Sequence, residues 1–206
     1  MMKRSTFLIT TAILGAVMVL LWGCASTTQP SKFYVLSALT QPEATIQVTT
    51  SNADMLIGIG PVTLPAYLNR SQIVTRTSEN ELKLAEFHLW AEPLKENISR
   101  VLMESLSNLL NTNRIVTYPW RASISVAYQI TFDVVRFDVG SDGNALLNVY
   151  WAVYGKDGKE ELLKKKSIFR ESAESKDYHS IVAAQNLTLR EFSREIASTI
   201  KKIHPR

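Results

Sequence analysis

The chain holds one thiol, Cys24, and its setting decides what that thiol is for. A cysteine can act as a nucleophile, a zinc ligand, half of a disulfide or the acceptor of a lipid. A disulfide within the chain is excluded, because there is no second cysteine. Ahead of Cys24 stand Met1-Met2-Lys3-Arg4. An apolar run follows through Phe7-Leu8-Ile9, Ala12-Ile13-Leu14 and Ala16-Val17-Met18-Val19-Leu20-Leu21-Trp22. A basic start, an apolar stretch and a small residue before the cut make the pattern of a secretory signal peptide. Two simpler readings compete: a membrane-spanning anchor, and an incidental thiol after an ordinary cleavage site. The apolar run from Phe7 to Trp22 is about 16 residues, short of the roughly 20 that a helical span needs.

The residues Leu21-Trp22-Gly23-Cys24 resemble a bacterial lipobox, with Trp22 an unusual member. In that pattern the cysteine is acylated and becomes the first residue of the mature protein. The expected organisation is a lipoprotein signal peptide over 1–23, a short lipidated linker over 24–32 and a single periplasmic domain over 33–206. Each buried CH₂ contributes about 0.8 kcal/mol, and one acyl chain alone holds only marginally. Lipoproteins of this kind carry three chains, so near-permanent attachment is expected. An aspartate after the cysteine would favour inner-membrane retention in enterobacteria-like organisms; Ala25 resembles lipoproteins sorted to the outer membrane. The linker from Ala25 to Ser31 reaches at most about 25–30 Å, which keeps the domain close to its membrane.

Elsewhere the chemistry is sparse. His88, His179 and His204 have no neighbours at metal-ligand spacing and read as surface or packing residues. With Cys24 committed to the anchor, thiolate catalysis and zinc–thiolate sites fall away. Gly58-Ile59-Gly60-Pro61 lacks the later glycine and the lysine of a phosphate cradle, and proline removes a donor N–H. No serine sits in a nucleophile-elbow pattern. Glu160-Glu161 reads as a solvated pair in an exposed turn. No catalytic residue, metal site or cofactor is therefore expected, and binding or scaffolding is favoured over enzymology. The formal charge of +4 falls to +2 without Lys3 and Arg4, and most basic residues are scattered, which gives no case for nucleic acid. Lys164-Lys165-Lys166 reads as a solvated strand face or edge, with anionic headgroups as the alternative contact.

Removing residues 1–23 from the 206 leaves 183, enough for one domain with a real core. A first strand is expected over 32–37, a short one at Ile46-Val48 within a polar loop, and a buried one over 55–62 whose glycines suggest a bulge or a close backbone approach. Leu64 to Leu68 is a proline-bounded connection. Gln72–Arg76 and Glu81–Ala85 read as a hairpin turning near Glu79-Asn80. Leu94, Ile98, Val101, Leu102, Leu106, Leu109 and Leu110 fall at helical spacing behind Pro93, and Asn111 to Asn113 ends that helix. Strict alternation from Ile124 to Val134, then a switch to Val135, Phe137 and Val139, predicts one long strand with a bulge. Strands over 145–154 and 161–171 complete an antiparallel meander. A second helix is expected over 177–203, with an inner stripe of Ile181, Gln185, Thr188 or Leu189, Phe192, Ile196, Ile200 and Ile203. The order predicts an α+β domain: a mixed or mostly antiparallel sheet with two main helices packed on one face.

Apolar residues outside these stripes mark a candidate surface. Leu64, Tyr67 and Leu68 lie in the proline-marked connection; Phe87, Leu89, Trp90 and Leu94 surround a strand-to-helix junction. They either cap the core at the helix entrance or anchor a partner, as aromatic residues do at interface hot spots.

The stretch Ile57-Gly58-Ile59-Gly60-Pro61-Val62-Thr63-Leu64-Pro65-Ala66-Tyr67-Leu68-Asn69-Arg70 is similar to a block of the PqiC-type ABC-transport auxiliary lipoproteins. The likeness continues through Gln72–Arg76 and Leu84–Leu94, and a lipobox ahead of Phe33-Tyr34-Val35-Leu36 fits it as well. The resemblance implies a non-enzymatic periplasmic lipoprotein. Such proteins accompany MCE-domain proteins and often an ABC permease and ATPase, which move phospholipids or other hydrophobic molecules between membranes. It also implies an outer-membrane docking role towards the MCE protein, a fold like the TolB N-terminal domain, and self-association into a ring. The candidate partner surface read from the residues comprises Leu64, Tyr67, Leu68, Phe87 and Trp90, and the part near Tyr67 and Trp90 would receive the MCE assembly. Two other classes stay open: a lipoprotein regulator of a cell-wall synthase, for which the linker looks too short, and a small-ligand or lipid-binding periplasmic enzyme subunit.

Overall fold

The computed structural model describes residues 29–38, 55–155 and 158–204. Cys24, the leader and the strand expected at Ile46-Val48 lie outside the described residues. The elements run β1 (Lys32–Tyr34), β2 (Ile57–Thr63), a 3-10 turn (Ala66–Leu68), β3 (Gln72–Arg76), β4 (Leu82–Trp90), α1 (Leu94–Leu110), β5 (Ile115–Thr117), β6 (Tyr128–Val139), β7 (Asn144–Gly155), β8 (Glu160–Ser172) and α2 (Tyr178–Ile203). They belong to one compact unit, Ser31–Arg206.

The helices form where their sequence dictates and stop where it changes. Pro93 stands at the entrance of α1, where its missing N–H costs nothing. Asn111 ends the helix in the left-handed conformation at φ 51°, and its N–H reaches the carbonyls of Ser107 and Asn108. Asp177 caps α2: one carboxylate oxygen accepts from the backbone N–H of His179 at 2.9 Å and of Ser180 at 3.0 Å. Lys201 and Lys202 sit in the last turn, where cations complement the helix dipole. Both apolar stripes face inward. Leu94, Ile98, Val101, Leu102, Leu106 and Leu110 are buried from α1, and Ile181, Leu189, Phe192, Ile196 and Ile200 from α2.

The sheet has eight strands among the described residues and is mixed. One run follows β8–β7–β6–β2–β5, with antiparallel pairing across β6–β7–β8 and parallel pairing of β2 to both β5 and β6. A second run, β1–β4–β3, joins it where Thr75 of β3 pairs in parallel with Val139 of β6. Helix α1 lies over β2 and β5, α2 lies over β6, β7 and β8, and the two helices pack on each other. Phe192 is the centre of this layer. Its ring meets Phe132 and Trp151 edge-on, both at 5.8 Å, and Phe169 at 5.9 Å.

The switch of face in β6 is a bulge. Register slips by one residue between Val134 and Arg136, which leaves Val135 as the extra residue, 45% exposed. Inward positions therefore pass from Ile130, Phe132 and Val134 to Phe137 and Val139, and Val135 leaves the stripe that the alternation alone would give it. The strand is also shorter than expected. Residues 124–127 are not in it, because the backbone turns at Arg121 to Ile124 and joins the ladder only at Tyr128. The first strand likewise ends at Tyr34, and Leu36 continues into the core as irregular chain. The glycines of β2 serve both purposes expected of them. A Cβ on Gly58 would lie 2.6 Å from the Trp120 ring, and Gly60 takes φ +111° within a register shift between Ile59 and Val62. The lysine run splits across the sheet: Lys164 and Lys166 are exposed, whereas Lys165 pairs with Glu195 on α2.

Phe192→Ala removes the ring that three others surround, and a loss of about 3–5 kcal/mol is expected in equilibrium urea unfolding. Phe33→Ala, at a site 65% exposed, should stay within about 0.5 kcal/mol of the parent. The cap of α2 adds a pH signature. Hydrogen bonds from Ser175 above all, and from the Ser180 and His179 backbone, hold the Asp177 carboxyl well below the ordinary carboxylate range. Its stabilisation is thus present above the unfolded value of about 4 and is lost as pH falls through the lower folded value. Thermal melts between pH 5 and pH 2 should show a shallower acid loss in Asp177→Asn than in the parent.

Candidate functional site

The β3–β4 hairpin carries a feature at each end. At the end where β3 begins and β4 closes, Asn69, Arg70 and Ser71 face Trp90, Ala91, Glu92, Pro93 and Leu94 across a cleft of about 350 Å³. Local geometry makes this cleft. The 3-10 turn closes with Leu68 N–H on the Pro65 carbonyl at 2.9 Å, which brings residues 69–71 back over the strand end. The backbone N–H of Trp90 donates to the Ser71 carbonyl at 2.7 Å, locking the two walls together. Trp90 and Leu94 form an apolar floor, buried to 5% and 3% exposure. The rim is charged. Arg70 is exposed, and Glu92 pairs with Arg100, whose guanidinium also donates to Asn97 at 2.9 Å. An apolar floor with a polar rim of both signs suits a peptide or protein segment better than a small polar substrate.

Behind the hairpin lies a buried carboxylate. Asp138 has no exposed surface and is held by Arg136 Nε at 2.7 Å, Arg76 Nε at 3.0 Å and the Tyr67 hydroxyl at 3.1 Å. The Arg76 guanidinium also lies over the Tyr67 ring, 5.7 Å from its centre, and its Nη1 donates to the Glu79 carbonyl at 2.8 Å. Burial, then the Asp138 charge, pushes the Tyr67 phenol above its ordinary value, so it remains a donor at every physiological pH.

The residues singled out in the sequence separate accordingly. Trp90 lines the cleft floor, and Leu68 is buried in the core. Tyr67 turns its hydroxyl to Asp138. Leu64 packs partly buried against the core, and Phe87 is half-buried on β4 outside the cleft. Leu68 and Trp90 are thus buried, and the exposed groups at this surface include Asn69, Arg70, Ser71, Ala91 and Pro93, with Glu92 half-buried. The Asp138 cluster escaped the sequence reading; its signal is a lone acid between Phe137 and Val139 on a strand that reads as apolar there.

The histidines take packing or surface positions. His88 Nδ1 lies 2.7 Å from the Tyr34 hydroxyl, and its ring stacks on Tyr178 at 4.0 Å, joining β4 to the start of α2. His204 meets the Tyr128 hydroxyl at 3.2 Å, and His179 is exposed in the first turn of α2. Glu160 and Glu161 are exposed as expected but form the start of β8 rather than a turn. Among the described residues no three His, Cys, Asp or Glu side chains gather as metal ligands, and no helix is long and apolar enough to cross a membrane.

Removing the Asp138 charge leaves two guanidiniums facing each other without their shared partner. Asp138→Asn is expected to cost about 3 kcal/mol, and Tyr67→Phe about 1 kcal/mol, in urea unfolding. A double variant whose cost falls short of the sum would establish that the phenol acts through the same carboxylate.

Comparison with known proteins agrees with this architecture. A family model described as the ABC-type transport auxiliary lipoprotein component matches residues 34–197. The chain is similar to the intermembrane transport lipoprotein PqiC of Escherichia coli strain K12, 26% identical over 133 residues, covering 64% of this chain and 68% of the relative. The same values hold for PqiC of Shigella flexneri. Among solved structures, an uncharacterized protein superposes with a TM-score of 0.68 at 20% identity, covering 84% of this chain and 99% of that one. A Xanthomonas campestris protein also superposes at 0.68, with 13% identity and coverages of 82% and 94%. These two likenesses concern the fold.

Proposed function

The chain belongs to the ABC-type transport auxiliary lipoprotein component family, and from that premise we propose that it is the tethered, non-enzymatic accessory subunit of an intermembrane lipid transport system. In this reading Cys24 carries the acyl chains and holds the domain on the periplasmic face of the outer membrane. The folded domain docks the MCE-domain protein of the system at the cleft between Asn69–Ser71 and Trp90–Leu94. The observation that carries the reading is where the family-like block ends up. Its two most distinctive stretches, separated in sequence, supply the two walls of one cleft whose floor is Trp90.

Three further points support it. The relative in Escherichia coli is itself an intermembrane transport lipoprotein. The lipobox-like Leu21–Cys24 and the short linker from Ala25 to Ser31 support a tether that would reach at most about 25–30 Å. The rim offers Arg70 and Glu92, opposite charges that fix register on a partner more than they add affinity.

In-cell photocrosslinking from positions 70 and 92, with Cys24→Ser as the anchor control, tests both parts. Capture of an MCE-domain protein from either position, together with release of Cys24→Ser from the outer-membrane fraction, is the expected result. Capture of a cell-wall synthase instead, or retention of unprocessed Cys24→Ser in the inner membrane with unchanged crosslinks, would overturn the reading.

A further inference from the structure

The opposite end of the β3–β4 hairpin opens into a second cavity, of about 430 Å³, bounded by the ends of β3 and β4, the β6–β7 turn and the start of α2. We infer that this cavity is a binding site for a phosphate-bearing anion, either the headgroup of an anionic lipid or a soluble phosphate ester. The docking reading does not assign it, and the inference stands without that reading.

Charge is the first argument. Arg76, Lys83 and Lys176 line the cavity, and no carboxylate does. Neither lysine makes an ion pair among the described residues, so both charges are available to a ligand. Glu81, Asp142 and Asp177 stand near the cavity without lining it; they keep their charge, and each is held by hydrogen bonds to other groups. Glu81 accepts from the Thr77 hydroxyl, Asp142 accepts from Asn144 through both backbone and side chain, and Asp177 caps α2. Asp138 is fully buried and shared between two arginines, so the Arg76–Arg136–Asp138 group keeps one net positive charge.

Preorganisation is the second argument. Arg76 is fixed by Asp138, by the Glu79 carbonyl and by the Tyr67 ring before any ligand arrives. A guanidinium held in place loses less freedom on binding an oxyanion than a free one, and its planar fork matches phosphate geometry. The lysines, flexible and exposed, can close on the anion as point charges.

Lining chemistry is the third argument. Thr75 and Ser141 bring hydroxyl-bearing side chains to the lining, while Tyr178 and Ile181 give the wall an apolar side. Such a lining fits an anion attached to a carbon skeleton better than a bare inorganic ion.

The test uses the full chain in neutral dodecyl maltoside micelles. Three probes are titrated: dihexanoyl phosphatidylglycerol, glycerol 1-phosphate and inorganic phosphate. Backbone amide shifts at Gly140, Ser141, Gly143 and Ser175 report occupancy. Saturable shifts confined to these amides are expected. Lys83→Glu with Lys176→Glu should weaken binding roughly tenfold or more. Lys164→Glu with Lys166→Glu makes the same charge change on the open face of β8 and should alter it less than about twofold. Lys83→Gln with Lys176→Gln, a milder change, keeps the test decisive if the reversed variant does not fold, and a several-fold loss is expected from it. Tighter binding of the lipid than of glycerol 1-phosphate identifies a headgroup; equal binding identifies a soluble ester, and both support the site. Absence of saturable shifts with all three probes, shifts away from the cavity, or equal losses in both lysine pairs would overturn it.

Discussion

One buried carboxylate joins the two halves of this sheet. Between the β1–β4–β3 run and the larger run the ladder contributes a single registered pair, Thr75 with Val139. One pair is a weak seam. The residues on either side of it strengthen the join: Arg76 follows Thr75, Asp138 precedes Val139, and the two meet at 3.0 Å with Arg136 and Tyr67 closing around them. Breaking such a cluster leaves an uncompensated charge, so it acts as a latch with a high cost of opening. Because Tyr67 belongs to the same cluster, the latch also fixes the 3-10 turn that leads into one wall of the cleft. The geometry of the whole hairpin therefore depends on Asp138.

Most elements were legible in the sequence because each rests on a local rule. Both helices follow from a 3.6-residue stripe, with a Pro entrance in one; the Asp177 cap of the other came with the structure. The meander follows from alternation broken by glycine-containing turns, and the β6 bulge from a change of parity within one strand. The architecture, an α+β domain with a mixed sheet and two helices, followed from their order. What did not follow was long-range. The parallel pairings of β2 with β5 and β6 bring together segments about sixty to seventy residues apart, and no local period encodes such pairing. Strand β5 is three residues long, too short for any period. The stretch Ile124 to Ala127 alternates as a strand does, but its backbone turns and only then enters the ladder.

The candidate site was legible by location more than by role. The sequence marked the proline-bounded connection and the strand-to-helix junction, and the fold brings them together. It could not say which of the apolar residues there would remain accessible. Trp90 and Leu68 are large and apolar next to a growing helix, so burial claims them, and what remains at the surface is the polar rim of Arg70 and Glu92. Apolar type marks a place of packing density. Whether the far side of that packing is the protein's own core or another protein depends on how the chain closes over it, which is a tertiary property.

The two cavities lie at opposite ends of one hairpin, and this arrangement has consequences. The five residues of β3 span about 17 Å at strand rise, so an occupant of the cleft and an occupant of the cationic cavity would not compete for space. They would still share the hairpin between them. A partner seated against Trp90 bears on the Ser71–Trp90 hydrogen bond at one end, and an anion seated against Arg76 bears on the Asp138 latch at the other. A change in hairpin register would be felt at both, whereas a rigid hairpin would leave them independent. The irregular β3–β4 register between Gln72 and Val74 places the least regular part of the ladder next to the cleft, while pairing is continuous from Val74 to Arg76 next to the cavity. Adjustment is therefore easier on the cleft side and harder on the latch side. Partner docking is then expected to remodel the cleft without disturbing the charges around Arg76.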